Sequence, residues 1–169
     1  MGDYLKLSGG VPADANANST SAGGDDAGKM VKLNGSGKLD STLFPTGIAP
    51  EQRTITASED LAAGDLINIH SSSGTKARKA DATAAGKEAH GFTLAAVTSG
   101  QDVTAWVEEG VLSGLTSLTP GTRYFLATTA GAITATAPSS SGNVNQVVGV
   151  ALSATELLFR PDTPITLAL

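Results

Sequence analysis

The 169-residue chain has no cysteine. That excludes a disulfide framework, a thiolate nucleophile and any cysteine-ligated metal. Aromatic residues are scarce, at one Trp, two Tyr and four Phe. Large rings supply the most buried area per side chain, so the core must rest on Val, Leu, Ile and Ala and is thin. A thin core is commonly supplemented by subunit contacts or by docking to a partner. Positive charge is also short: 11 Lys and Arg against 16 Asp and Glu give a net charge of −5. A nucleic-acid binder needs a basic face to neutralise phosphate, so no nucleic-acid partner is expected. No apolar run approaches the roughly 18 residues of a membrane span. The opening MGDYLKLSGG has no basic region followed by an apolar one, so it does not read as a secretory signal. Asp3 after Gly2, without a second membrane signal, argues against myristoylation, and no membrane partner is expected.

What the chain has instead is glycine and threonine, twenty of each, which favour strands and turns over long helices. The best-organised stretch is Val103–Pro161. It holds short apolar runs at Val103–Val107, Tyr124–Leu126, Ile133–Ala137, Val147–Leu152 and Glu156–Phe159. Between them lie Pro120-Gly121, Ala130-Gly131-Ala132 and Ser139–Asn143, all turn chemistry. Such spacing predicts a mainly β fold, a compact antiparallel sandwich or barrel. We place that domain over residues 51–161, after an extended N-terminal arm (1–50) and before a short C-terminal tail (162–169). Upstream strands are expected at Arg53–Ala57, Leu66–His70, Thr75–Ala80 and His90–Val97, with one or two helical turns over Ala82–Glu88. The tail carries Pro161 and Pro164, which bar a central strand. With Ile165, Leu167 and Leu169 alternating, it should lie on the domain or add to a neighbour's sheet edge.

The first fifty residues differ. Tyr4-Leu5-Lys6-Leu7 alternates over four residues, but Ser8 to Lys29 has almost no large apolar side chain, Val11 excepted. Such a stretch cannot bury enough surface to offset the entropy of ordering it, which predicts an arm ordered by something that binds it. Met30-Val31-Lys32-Leu33 alternates briefly before the turn Asn34–Gly37. Asp40 or Ser41 is placed to cap a single helical turn that Pro45 stops. Leu39, Leu43 and Phe44 then form an apolar anchor, packed on the same domain or on a neighbouring subunit.

Signals of catalysis are weak. His70 and His90 have no metal-site spacing. There is no Gly-x-Ser-x-Gly elbow, and the serines cluster in loops. The acidic pairs Asp25-Asp26, Glu59-Asp60 and Glu108-Glu109 are sequence neighbours, which in a strand point to opposite faces. A glycosidase needs two carboxylates converging in a cleft. Lys76-Ala77-Arg78-Lys79 is the only basic cluster, suited to an acidic partner or a solvated hairpin. Gly23-Gly24 and Gly35-x-Gly37 lack the Lys-Ser/Thr and helix of a phosphate loop. The Asn18-Ser19-Thr20 sequon has no meaning outside a secretory context. No enzyme activity, cofactor or metal is expected.

Two segments carry a resemblance. AGKMVKLNGSGKLDSTLFPTG, Ala27–Gly47, resembles a segment that recurs in bacteriophage tail fibres and head-surface proteins. The run from Gly64-Asp65 through Leu118-Thr119-Pro120-Gly121 resembles small phage capsid decoration (cement) proteins, whose β-rich domains form trimers on the head surface. Leu118 to Phe159 is similar to C-terminal domains of phage structural proteins. The resemblance implies a non-enzymatic virion protein on the outer capsid surface. It would bind the major capsid protein and itself as a homotrimer, and stabilise the lattice. A tail-fibre, collar or baseplate component is the alternative, and a glycan-binding or glycan-degrading β domain is a third. On the first reading the docking residues are Tyr4, Leu5, Leu7, Met30, Val31, Leu33, Leu39, Leu43 and Phe44. Trp106 joins them if its side of the strand faces outward; if it faces inward it is core.

Overall fold

A computed structural model describes residues 4–8, 10–44 and 52–168 of the chain. Two compact units divide it, Met1–Ala49 and Pro50–Leu169.

In the first unit, β1 (Tyr4–Ser8) and β2 (Val11–Ala15) pair antiparallel, Tyr4 opposite Ala15 and Ser8 opposite Val11. The stretch expected to be wholly extended therefore contains half of a hairpin. Further on, Asn18 bridges Val31: its N–H donates to Met30 O at 2.8 Å and its carbonyl accepts from Lys32 N at 3.0 Å. Single 3-10 turns follow at Gly24–Asp26 and Ser41–Leu43. Asp40 is the cap of the second, accepting from the Thr42 N–H at 3.0 Å and its hydroxyl at 2.7 Å. Asn34 closes the expected turn, its Oδ1 accepting from Ser36 N and Lys38 N. Pro45, expected to end the turn, lies outside the described residues.

The second unit opens with a closed five-stranded barrel. Its strands are β3 (Gln52–Ala57), β4 (Leu66–Ser71), β5 (Thr75–Lys79), β6 (Gly91–Phe92) and β7 (Asp102–Trp106), in the order β3-β5-β4-β6-β7 and back to β3. All pairs are antiparallel except β3 with β5, where Thr56 meets Lys76 and Ala57 meets Ala77 in parallel. Ile55, Ala57, Ile67, Ala77, Val103 and Ala105 form the first core, with Leu61. Three alanines among them suit the narrow bore of so few strands.

A five-stranded sheet completes the unit: β10 (Ile133–Thr134), β9 (Arg123–Leu126), β12 (Val147–Ala151), β13 (Glu156–Phe159) and β8 (Gly110–Ser113), in that order. The second core contains residues of barrel strands, Leu66 and Phe92, together with Leu112, Tyr124, Leu126, Val148, Leu157 and Phe159 of this sheet. Leu66 and Ile67 are both fully buried although they point to opposite faces, because β4 has a core on each side. β11 (Val144–Asn145) pairs with β14 (Ile165–Thr166), so the tail adds a short strand to its own domain; Leu169 lies outside the described residues.

Three expectations need correction. Residues 82–88 form turns, not helix. The Asp81 carboxylate accepts from the Thr83 N–H and hydroxyl, the Arg78 guanidinium donates to the Gly86 carbonyl, and Asn68 Nδ2 donates to the Glu88 carbonyl. These bonds occupy groups that a helix would pair internally. The strand expected over His90–Val97 is two residues long, because Thr93 turns its hydroxyl onto Ala95 and its main chain onto Gly64 and Asp65. The run Ile133–Ala137 likewise contributes only Ile133–Thr134.

Candidate functional site

In the first unit six large apolar side chains face out. Val11, Met30, Val31, Leu33, Leu39 and Phe44 are between 42% and 64% exposed. Among the described residues Ala17 is the only buried apolar one there. The described residues of the unit form no apolar cluster among themselves, and polar bonds shape its turns. Asp26 accepts from the Ala22 N–H at 2.6 Å and pairs with Lys29 Nζ at 2.8 Å. Thr42 Oγ1 accepts from the Ser21 N–H at 2.9 Å, which ties the second 3-10 turn to the loop before the first. The Ala22 amide and then Lys29 pull the Asp26 carboxyl down to about 2. Asp40 is lowered by its bonds to Thr42. Both carboxylates are spent on shaping turns.

Of the residues expected to dock, Met30, Val31, Leu33, Leu39 and Phe44 are thus presented together on one unit, with Leu43 half-buried beside them. Tyr4 is half-buried on β1. Leu5 and Leu7 are also on β1, their side chains outside the described set. Val11 belongs to the exposed group and was not among the expected residues; as the one large apolar side chain between Ser8 and Lys29 it could have been picked out.

Trp106 fits neither expected position. Val103 and Ala105 do face inward, into the barrel, which turns Trp106 outward. Yet it is half-buried against the second core and stacked on Phe92, centroids 5.9 Å apart and planes 8° apart. A strand with one core has an inside and an outside; this one has a core on each face.

No protein-family model matches this chain, and no curated protein matches it.

The remaining chemistry is sparse. His70 Nε2 lies 2.9 Å from Ser58 Oγ, but that hydroxyl also donates to the Ala77 carbonyl at 3.1 Å. A serine nucleophile must give its proton to the histidine, and here the Ala77 carbonyl competes for that proton. His90 Nδ1 accepts from the Ile69 N–H at 3.0 Å, a structural bond. No group of three potential metal ligands occurs among the described residues. In the basic cluster, Arg78 is bound to Asn68 Oδ1 and Lys79 to Asp65. A cavity of about 420 Å³ is lined by Tyr124, Leu115, Ser117, Thr134 and Asp65, which is its single carboxylate. Asp65 is already engaged by the Ala62 N–H and Lys79. The cavity does not supply the pair that glycoside hydrolysis uses. No helix among the described residues is long and apolar enough to cross a membrane.

Proposed function

We propose that the chain is a non-enzymatic capsid decoration protein of a bacteriophage. It sits on the outer head surface, binds the major capsid protein through its first unit, and stabilises the lattice. The carrying observation is that, among its described residues, this unit exposes six large apolar side chains and buries none. A fold that leaves its apolar groups in water while spending its polar groups on turns is completed by what it binds. The resemblance of Ala27–Gly47 to phage head and tail proteins covers five of those six residues.

The magnitudes favour many copies. Covering the exposed remainder of one such side chain is worth about 1 kcal/mol. Association costs roughly 4–15 kcal/mol in lost freedom, so one residue is not enough. A group of six, repeated in copies arranged as homotrimers, offsets that cost through multivalency. The contact exists only on the assembled shell, so binding stabilises the shell over its dissociated subunits.

The test is co-sedimentation with purified capsids lacking this protein. The full chain should bind in hundreds of copies per particle and raise the temperature at which shells disrupt. Removing residues 1–47, or placing Asp at both Leu33 and Phe44, should abolish binding while circular dichroism of the β domain is kept. Retained binding overturns the reading. A few copies to a few dozen, confined to tails, would establish the alternative as a tail-fibre, collar or baseplate component.

A further inference from the structure

The outer face of the five-stranded sheet carries a second apolar feature, independent of the first unit. Antiparallel sheets with one face on a core ordinarily alternate apolar inside and polar outside. Here the register places Val111 opposite Leu158, and Leu158 opposite Val150. These three lie on the outward face of β8, β13 and β12, next to the polar pair Ser113 and Glu156, and their inward neighbours Leu112, Leu157 and Ala151 are buried. Val111 is 44% and Val150 38% exposed. Leu152, just past β12, is 51% exposed. The row runs up to β8 and stops because the sheet stops: β8 pairs with β13 on one side and, among the described residues, has no strand on the other.

The edge itself is unguarded. Edge strands are usually protected by charge, proline or a bulge; β8 reads Gly-Val-Leu-Ser, without any of these. Among the described residues, none of its main-chain groups makes a hydrogen bond outside the β8–β13 ladder. The nearest charge, Glu109, is paired with Arg160 at 2.5 Å.

We infer that β8 pairs antiparallel with β8 of a second copy about a two-fold axis at Val111, joining two sheets into one. A strand edge is complementary to itself under such an axis. With Val111 opposite its own copy, Gly110 meets the second copy's Leu112 and Glu109 meets its Ser113. No like charges face each other, which is the condition cross-strand pairs must satisfy. The row Val150–Leu158–Val111 then continues into the same three residues of the second copy. A register centred one residue on would set Leu112 against its copy and Val111 against Ser113, breaking the row. A two-fold contact cannot belong to a three-fold ring, so in a lattice of trimers it would link one ring to the next.

The absence of cysteine makes the test clean. Directly opposed residues on paired strands have Cβ atoms about 4.5–5.5 Å apart, near enough for a disulfide after small adjustment. The full chain bearing Val111→Cys should form covalent dimers on mild oxidation, and one bearing Ser73→Cys, at a solvent-exposed loop, should form far fewer. The full chain bearing Val111→Lys should sediment as a lighter species than the wild type, with unchanged circular dichroism because Val111 is outside both cores. The inference is overturned if Val111→Cys crosslinks no better than Ser73→Cys. It is equally overturned if Val111→Lys leaves the mass unchanged.

Discussion

Gln146 binds both main-chain groups of Ala89, its Oε1 accepting from the N–H at 2.8 Å and its Nε2 donating to the carbonyl at 3.0 Å. Both residues are buried. The side-chain amide does here what a neighbouring strand would do, holding the end of the 82–89 loop against the second core. Replacing Gln146 by Leu keeps the volume but strands a buried N–H and a buried carbonyl. An unsatisfied buried group costs about 1–3 kcal/mol, so with two of them Gln146→Leu should destabilise the second unit by roughly 2–6 kcal/mol. Urea unfolding would measure it as a lower midpoint at unchanged slope.

The Phe92–Trp106 stack makes a second prediction. Phe92 also meets Phe159 edge-on, centroids 5.2 Å apart, so three rings bridge barrel and sheet. In an aromatic-poor chain this is where ring area is concentrated. Trp106→Ala should cost about 3 kcal/mol, at the lower end for such truncations because Trp106 is only half-buried. Trp106→Phe should cost about 1 kcal/mol. As the only tryptophan, its fluorescence in the unaltered chain reports separation of the two layers directly. If Trp106 lay outward as a binding hot spot, neither change would move the unfolding midpoint.

These residues also mark what could be read from sequence. Most long strands followed from alternation: β3, β4, β5, β7, β9, β12 and β13 all fall within two residues of their expected ends. Alternation states that a strand has two faces, but not that both are covered. That is why outward interface and inward core do not exhaust the positions of Trp106, which faces out of the barrel and packs on the second core. β8 was missed because Gly110–Ser113 has too little apolar content to stand out, and its pairing with β13 is set by tertiary contact. The 82–88 segment is alanine-rich and helix-prone; its turns are imposed by Asn68 and Arg78, which come from other strands. The apolar group on the first unit was legible for the opposite reason. Few large apolar residues between Ser8 and Lys29 are there for Met30, Val31 and Leu33 to pack on.

Close main-chain approach makes a third prediction. A Cβ on Gly91 would run into the carbonyl of Trp106, and one on Gly149 into the carbonyl of Leu158. Both contacts are with backbone in a paired strand, which cannot swing aside as a side-chain end can. Gly91→Ala should part β6 from β7, open the barrel and cost at least the roughly 1–3 kcal/mol of ordinary overpacking. Gly149→Ala acts at the bulge where β12 shifts register against β9. By contrast, Gly35→Ala has open space around it and should leave the unfolding midpoint in place.

The last prediction concerns acid. Asp26 has its carboxyl lowered from the ordinary 3.8 to about 2, chiefly by the Ala22 N–H and then by Lys29. A group whose pKa is depressed on folding contributes stability that is fully present above its unfolded value and is lost as pH falls through its folded value. The turn around Gly24–Asp26 should therefore keep its geometry down to about pH 4 and lose this contribution between 3.8 and about 2. Amide resonances of Ala22 and Gly23 would follow it, with a midpoint near the folded value. Asp26→Asn keeps an acceptor for Ala22 but removes the charge that holds Lys29, so those resonances should no longer titrate in this window. If the wild-type resonances instead titrated near 3.8, the Ala22 and Lys29 bonds would be contributing nothing to the turn, and the first unit would have to owe its shape to other contacts.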